Sequence, residues 1–255
     1  MMNTLEVTIT PAEFGALKHR DLKQIVCVVF DVLRATSAMT TALANGATAV
    51  VPVSEIAEAL ELRKRDPDIL LAGEREGLRI RRELTGSVDF DLGNSPREFA
   101  RDAVGGKKIV MTTTNGTRAL RACAGARTVL IGSFLNLRAT AEFLERNSAG
   151  NLLLVCSGTF EQAAYEDVLG AGALCDLLWP IYSRGSVADS AYIARQLYRL
   201  EQNDLLGAIA QSRNGRRLLS HSDLREDVPF CARLDSEPIV AELSKDGAVR
   251  LLSDS

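Results

Sequence analysis

The sequence is poor in the residues that most metal and phosphoryl-transfer chemistries rely on. It has only two histidines, His19 and His221, which argues against a His-rich zinc site and against a two-histidine phosphatase. Its five cysteines (Cys27, Cys123, Cys156, Cys175 and Cys231) include no Cys-x-x-Cys pair and are odd in number. The expectation is therefore a reduced, cytoplasmic protein without a disulfide framework. No run of ~18 apolar residues is present, which excludes a helical membrane span. The first residues, MMNTLEVTITPAEF, lack a basic stretch followed by an apolar one, so no signal peptide is expected. Excess positive charge is missing too: 30 Lys and Arg against 33 Asp and Glu leave a net charge of −3, which removes the electrostatic basis for a nucleic-acid binder. Position 33 is Leu, so Asp31 does not open an Asp-x-Asp pair, and the sixth residue after Cys156 is Gln162 rather than arginine. There is no Gly-x-Ser-x-Gly elbow and no Walker loop. Cys156 reads as a buried strand thiol and His221 as a solvated residue.

What is present is an ordinary globular composition, 46% hydrophobic and 25% charged over 255 residues. At ~150 residues per domain this allows one large domain or two small ones. Short Val- and Ile-rich runs at 25–30, 49–53, 69–72, 108–111, 128–131 and 151–156 read as strands buried on both faces. Helical stretches fall between them, at about 35–45, 55–65, 96–103, 117–124, 137–147 and 162–179. Thr10-Pro11-Ala12-Glu13 and Ser95-Pro96-Arg97-Glu98 each have the form of a capping box with proline at the first helical position. Further helices are expected at 190–200 and 203–211, and a β-hairpin with a Lys245-Asp246-Gly247 turn in the tail. The expected fold is α/β, a three-layer α/β/α arrangement with a largely parallel or mixed sheet. A shift of 79 residues lays RATSAMTTALANGATAVVPVS on TTNGTRALRACAGARTVLIGS. This suggests a duplicated strand–loop–helix–strand unit within a single domain, with two related halves at about 1–105 and 106–255.

Ligands of α/β sheets bind beyond the carboxyl ends of the strands. Four strands end in polar groups: Asp31 with Arg34, Thr36 and Ser37; Gly73-Glu74-Arg75; Thr112 to Thr117; and Ser157-Gly158-Thr159, followed by Glu166 and Asp167. Thr112–Thr117 offers hydroxyls, an amide and a glycine where a helix begins, an arrangement suited to phosphate, although a simple helix cap would use the same residue types. Asp31 and Glu74 suit Mg²⁺, with an Asp31–Arg34 ion pair and a solvated Glu74 as the alternatives. Arg34 suits a forked contact with an oxyanion. Glu166 and Asp167 are adjacent on a helix, so only one of them is expected to face the site. Gly170 and Gly172 read as close helix packing.

The motifs at these positions, Asp31-Val-Leu-Arg-Ala-Thr36, Ala72-Gly-Glu-Arg75, Asp91-Leu-Gly-Asn-Ser-Pro96, Thr112-Thr-Thr-Asn-Gly-Thr-Arg-Ala-Leu120, Ile131-Gly-Ser-Phe-Leu-Asn136 and Glu166-Asp167, occur in this order and resemble the 2-phosphosulfolactate phosphatase family. The resemblance runs from about Val26 to Asp176. It continues more weakly through Asn214-Gly-Arg-Arg-Leu218 and Glu226-Asp-Val-Pro-Phe-Cys231. It implies a Mg²⁺-dependent acid phosphatase that converts 2-phospho-3-sulfolactate to 3-sulfolactate and phosphate, a step of coenzyme M biosynthesis. Two segments depart from the expected pattern: LRIRRELTGSV at 78–88, which is arginine-rich, and Thr159–Tyr165.

On this reading Asp31, Arg34, Glu74, Thr114 and Asn115 are the catalytic candidates. Thr36, Arg75, Asn94, Ser95, Thr113, Gly116, Thr117, Ser157 and Gly158 are the substrate-binding ones. Mg²⁺ is the expected cofactor, with Asp31, Glu74, Glu166 and Asp167 as its ligand candidates. Water and a carboxylate such as Asp31 both remain open as the nucleophile. At least one of Arg75, Arg79, Arg81 and Arg82 is expected to reach the non-phosphoryl end of the substrate. The expected partner is a small anionic phosphorylated molecule, with no nucleic acid and no membrane, and a homodimer as the alternative to a monomer. Two other functions stay open: a non-catalytic binder of a phosphorylated metabolite, and a phosphatase of the same fold with another anionic substrate.

Overall fold

The structure, a computed structural model, describes residues 3–147 and 150–252. Its strands are β1 (Thr4–Thr8), β2 (Ile25–Phe30), β3 (Ala49–Val53), β4 (Leu70–Arg75), β5 (Leu78–Arg79), β6 (Lys108–Thr112), β7 (Thr128–Gly132), β8 (Asn151–Cys156), β9 (Ser186–Val187), β10 (Ala241–Leu243) and β11 (Val249–Leu251). Its α-helices are α1 (Phe14–Leu17), α2 (Ala35–Ala44), α3 (Ile56–Arg65), α4 (Arg82–Thr85), α5 (Arg101–Val104), α6 (Gly116–Ala122), α7 (Leu137–Arg146), α8 (Tyr165–Tyr182), α9 (Asp189–Glu201), α10 (Leu205–Gln211), α11 (Arg213–Leu219) and α12 (Asp227–Cys231). The strands form one mixed sheet in the order β5-β4-β6-β3-β11-β10-β7-β2-β8-β1-β9.

The six strands expected from apolar runs are all present, each buried on both faces. In β2, Val26, Val28 and Phe30 enter one core with α7, α8 and α9, while Ile25, Cys27 and Val29 enter a second core with α2 and α6. On the other side of the sheet, α3 covers Val53, Leu71 and Val110 in a third, smaller core. Helices on both faces of one sheet make the three layers. Nine of the ten residues of α2 are buried, and most are small, so this helix can be enclosed on all sides. Gly172 packs against the backbone of Ala194 in α9, the expected close helix packing, whereas Gly170 lies against the side chains of Phe30 in β2 and of Val32 just beyond it.

The tail forms the expected hairpin, but its place is the middle of the sheet. β11 pairs antiparallel with β3, and β10 antiparallel with β7. The parallel group β3, β6 and β4 therefore runs opposite to the parallel group β7, β2, β8 and β1. In a flat sheet their carboxyl ends would lie on opposite edges. Here they meet: a Cβ built on Gly116, just after β6, would lie 2.7 Å from Cβ of Ala35 and 2.8 Å from Oδ2 of Asp31, just after β2. The twist of a wide sheet lifts diagonally opposite corners toward one face, and the shared core around α2 lies on that face. The 79-residue shift lays β3 on β7 and places α6 within the span of α2.

Several local expectations change. β1 pairs with β8 over five residues and was not expected from its sequence. The helix expected at 96–103 is a 3₁₀ turn at Pro96–Glu98 followed by α5. The Thr10 capping box forms, whereas the Ser95 one does not. Ser95 Oγ donates to Asp227 at 2.6 Å, and Glu98 accepts from Gly93 N–H and pairs with Arg79. α8 begins at Tyr165 and runs past Pro180 to Tyr182.

Because the hairpin fills the gap between two otherwise open edges, deleting 241–251 should expose β3 and β7 together. The expected outcome is aggregation or loss of a cooperative melting transition. A soluble monomer with an unchanged transition would show that the two strand groups cohere without it.

Candidate active site

The converging strand ends enclose a cleft with about 610 Å³ of empty space, its open mouth included. Asp31 comes from the end of β2, Glu74 from β4, Thr113 to Asn115 from beyond β6, Gly158 and Thr159 from beyond β8, and Glu166 and Asp167 from the first turn of α8. Asn94, Glu76, Gly77, Phe160, Asn214, Arg217, Leu33 and Arg34 complete the wall.

Four of the cleft's carboxylates are each held by their own set of donors. Asp31 is 7% exposed; its Oδ1 accepts from Ala35 N–H at 3.1 Å, and its own N–H donates to Thr36 Oγ1 at 3.0 Å. Glu74 Oε1 accepts from the N–H and the hydroxyl of Thr114, at 2.9 and 3.0 Å, and its Oε2 accepts from Gly77 N–H at 2.7 Å. Asp167 Oδ1 accepts from Val32 N–H at 2.8 Å, and Oδ2 from Ser157 Oγ and Gly158 N–H at 3.1 and 3.0 Å. Glu166 Oε1 accepts from Asn214 Nδ2 at 2.6 Å, and that same amide nitrogen also donates to Thr159 Oγ1. Glu166 Oε2 and Asn94 Oδ1 are buried with no hydrogen-bond partner.

The electrostatics follow from that crowding. Burial pushes the Asp31 carboxyl up to about 6, with the negative charges of Glu74 and Glu166 adding to the effect. Burial likewise raises Glu166, and it raises Asp167 well above the usual carboxylate range, helped by Glu166 and Asp31. Five carboxylates line the cleft against two guanidiniums. One of these, Arg34, is already matched: Nη1 pairs with the fully buried Asp227 at 2.6 Å, and Nη2 donates to Gly77 O at 2.7 Å.

Of the residues singled out from sequence, Asp31, Arg34, Glu74, Asn94, Thr113, Thr114, Asn115, Gly158, Glu166 and Asp167 share this one cleft. Thr36, Arg75, Ser95, Gly116, Thr117 and Ser157 do not line it. Thr36 bonds Asp31, Arg75 bonds Glu74 O, Thr117 bonds Thr113 and Ser157 bonds Asp167, while Ser95 bonds Asp227 and Gly116 allows the close approach of Asp31 and Ala35. Arg34 pairs with Asp227 rather than Asp31. Glu166 and Asp167 both face the cleft, contrary to the expectation of one. They lie in the first turn of a buried helix that meets the cleft end-on, so Asp167 reaches the β2 end while Glu166 reaches α11. Thr114 spends its donors on Glu74, which leaves Thr113 and Asn115 as the polar groups of that loop toward the cleft.

The arginine-rich segment does not reach the cleft. Arg79 pairs with Glu98, Arg81 and Arg82 with Asp89, and Arg75 turns to Ser54 O and Thr112 Oγ1. Asn214, Arg217 and Asp227 are the site-forming residues that sequence reasoning missed. Their signal was the Asn214–Leu218 and Glu226–Cys231 segments, which carry the weaker part of the family resemblance.

Among the described residues, no three acid, histidine or cysteine side chains close on one point as a ready-made metal cage. The donor set nevertheless suits a hard cation that keeps several waters. Glu166 Oε2 and Asn94 Oδ1 are unpartnered oxygens, and the carboxylates repel one another with only Arg217 acting against that repulsion at Glu166.

Residues 13–246 match the family described as 2-phosphosulpholactate phosphatase. A protein of Caldanaerobacter subterraneus subsp. tengcongensis named "Probable 2-phosphosulfolactate phosphatase" is 40% identical over 245 residues, 94% of this chain and 96% of the relative. Proteins of the same name from Caldicellulosiruptor saccharolyticus and Clostridium acetobutylicum are 37% and 35% identical, over 92% and 89% of this chain and 95% and 92% of theirs. With its strand ends gathered into one acidic cleft and its length matched almost throughout, the chain belongs to the 2-phosphosulfolactate phosphatase family of phosphoric monoester hydrolases.

Proposed function

We propose that the cleft hydrolyses 2-phospho-3-sulfolactate to 3-sulfolactate and phosphate, with Mg²⁺ held by Asp31 and Glu166. The observation that carries this reading is a contradiction of charge. A family that acts on an anionic phosphate ester has, in this chain, a cleft lined by five carboxylates, one of which keeps a buried oxygen without a partner. Unpaired buried charge of one sign is costly, and a phosphate would add to it. A divalent cation held by these carboxylates would neutralise their charge and that of the phosphate.

Asp31 and Glu166 are the fitting ligands because each has an oxygen not bound to backbone N–H. Asn94 Oδ1 is a neutral third donor, and waters supply the remainder. Glu74 and Asp167 are occupied otherwise: each ties backbone N–H groups of two loops together and so fixes the shape of the cleft. When bound, Mg²⁺ supplies charge neutralisation at the phosphoryl oxygens and lowers the pKa of a coordinated water. Thr113 and Asn115 donate hydrogen bonds to phosphoryl oxygens as charge moves onto them. Asn214 fixes the rotamer of Glu166, so that Oε2 rather than Oε1 is offered to the cation. Arg34, clamped by Asp227 and Gly77 O, presents a positively charged wall that need not be ordered on binding.

Two outcomes follow. Chelation with EDTA should lower turnover of 2-phospho-3-sulfolactate at least ~100-fold, and Mg²⁺ should restore it. Unchanged turnover in EDTA would remove the metal from the account, and no turnover under any condition would remove the phosphatase reading.

The second outcome concerns Asp31→Asn. The Asp31 carboxyl is raised from 3.8 to about 6 in the folded protein, so the native state holds the proton more tightly than the unfolded chain. Stability of the metal-free protein therefore falls as pH rises through roughly 4 to 6. The amide removes that loss. At pH 7.5 the metal-free variant should be more stable than wild type, by at most on the order of 3 kcal/mol, while turnover is abolished. A variant less stable than wild type at pH 7.5, or one that keeps its turnover, would contradict the assignment.

A further inference from the structure

The proposed substrate carries two acidic groups besides its phosphate, and the residues expected to hold them lie elsewhere. We infer that Arg217 binds the non-phosphoryl oxyanion of the substrate, its carboxylate or sulfonate, and so selects disubstituted phosphomonoesters over simple ones. This rests on the phosphatase reading and adds to it the residue that reads the rest of the substrate.

Arg217 lies on α11 and lines the cleft. Its Nε is buried and has no hydrogen-bond partner. Its charge is felt by Glu166, whose carboxyl it pulls down against burial. Among the described residues, however, no carboxylate lies within salt-bridge distance of it, whereas Arg34, Arg79, Arg81, Arg82 and Arg97 each have one. Its guanidinium lies over Gly77, with Cζ 3.5 Å from where a Cβ would sit. Gly77 has a φ of +83°, a backbone that favours glycine, so the floor under the guanidinium stays clear of side chains. A buried donor left unmatched in the protein is disfavoured unless a ligand supplies the acceptor. A planar fork of donors fits a carboxylate or a sulfonate, and Lys would offer only a point charge. The neighbouring arginines of α11 are differently placed: Arg213 bonds Gln162, and Arg216 bonds Gln211 O, both on the exposed side. The cation for a second anion is therefore supplied by one residue of a helix that begins more than fifty residues after β8, the last strand whose end lines the cleft.

The test compares wild type with Arg217→Gln, Arg217→Lys and, as a control on the same helix, Arg216→Gln. For Arg217→Gln, KM for 2-phospho-3-sulfolactate should rise at least ~30-fold with kcat within ~3-fold, while KM for ethyl phosphate rises less than ~3-fold. Arg217→Lys should recover only part of the loss, and Arg216→Gln should show none. Equal rises on both substrates, or no rise, would overturn the assignment. Calorimetric binding of 3-sulfolactate, lactate and isethionate in the presence of Mg²⁺ gives an independent reading. The oxyanion that Arg217 holds is the one whose binding weakens at least ~10-fold in Arg217→Gln. Loss for lactate assigns the carboxylate, and loss for isethionate assigns the sulfonate. Unchanged binding of all three overturns the assignment. Should the wild type hydrolyse neither ester, the function proposed above fails, and the binding data still decide the role of Arg217. A thermal melt of each variant separates these outcomes from misfolding.

Discussion

The carboxyl ends of β2 and β6 have to meet although their strands run in opposite directions, and most of the structure serves that constraint. The hairpin β10–β11 reverses the direction of pairing at the centre of the sheet. The small-residue helix α2 fits inside the fold of the curled sheet, and Gly116 lets the starts of α2 and α6 touch. With that contact in place, Asp31 from one strand group lies beside Thr113 and Asn115 from the other. Neither group could form the cleft alone.

The cost of this convergence is electrostatic. Asp31, Glu166 and Asp167 are buried together, and all three are pushed toward their protonated forms. Three donors hold the Asp167 carboxylate, yet its burial beside Glu166 and Asp31 still raises it well above the usual range. At Glu166 the Asn214 hydrogen bond and the Arg217 charge offset part of the burial, and one oxygen is left over. Strain of this kind is what a binding site looks like before its ligand is counted. A structural core would have paired or removed these acids.

Much of this was legible in the sequence, for local reasons. Strands buried on both faces announce themselves as continuous Val and Ile runs, and polar residues just beyond them had to lie at one end of the sheet. That logic located Asp31, Glu74, Thr113, Asn115 and Gly158. It stopped where long-range pairing decides the outcome. The Lys245-Asp246-Gly247 turn signals a hairpin, but nothing local says that the hairpin splits the sheet. Arg79, Arg81 and Arg82 are near the cleft in sequence, yet Glu98 and Asp89 claim them. Asn214 and Arg217 belong to the site only because α11 brings Asn214 onto Glu166 at the start of α8 and Arg217 over Gly77, contacts no periodicity encodes. β1 was missed because its five residues alternate partly buried Thr and Glu with core residues, and its strand character comes from pairing with β8.

The most direct test of the central claim, that a cation completes an acidic cleft for an anionic substrate, is a crystal structure grown with Mg²⁺ and phosphate. The account predicts an ion held by Asp31 and Glu166, with phosphate in the same cleft beside the Thr113–Asn115 loop. Phosphate bound in the cleft with no ion, or an ion on other acids with Glu166 Oε2 still without a partner, would contradict it.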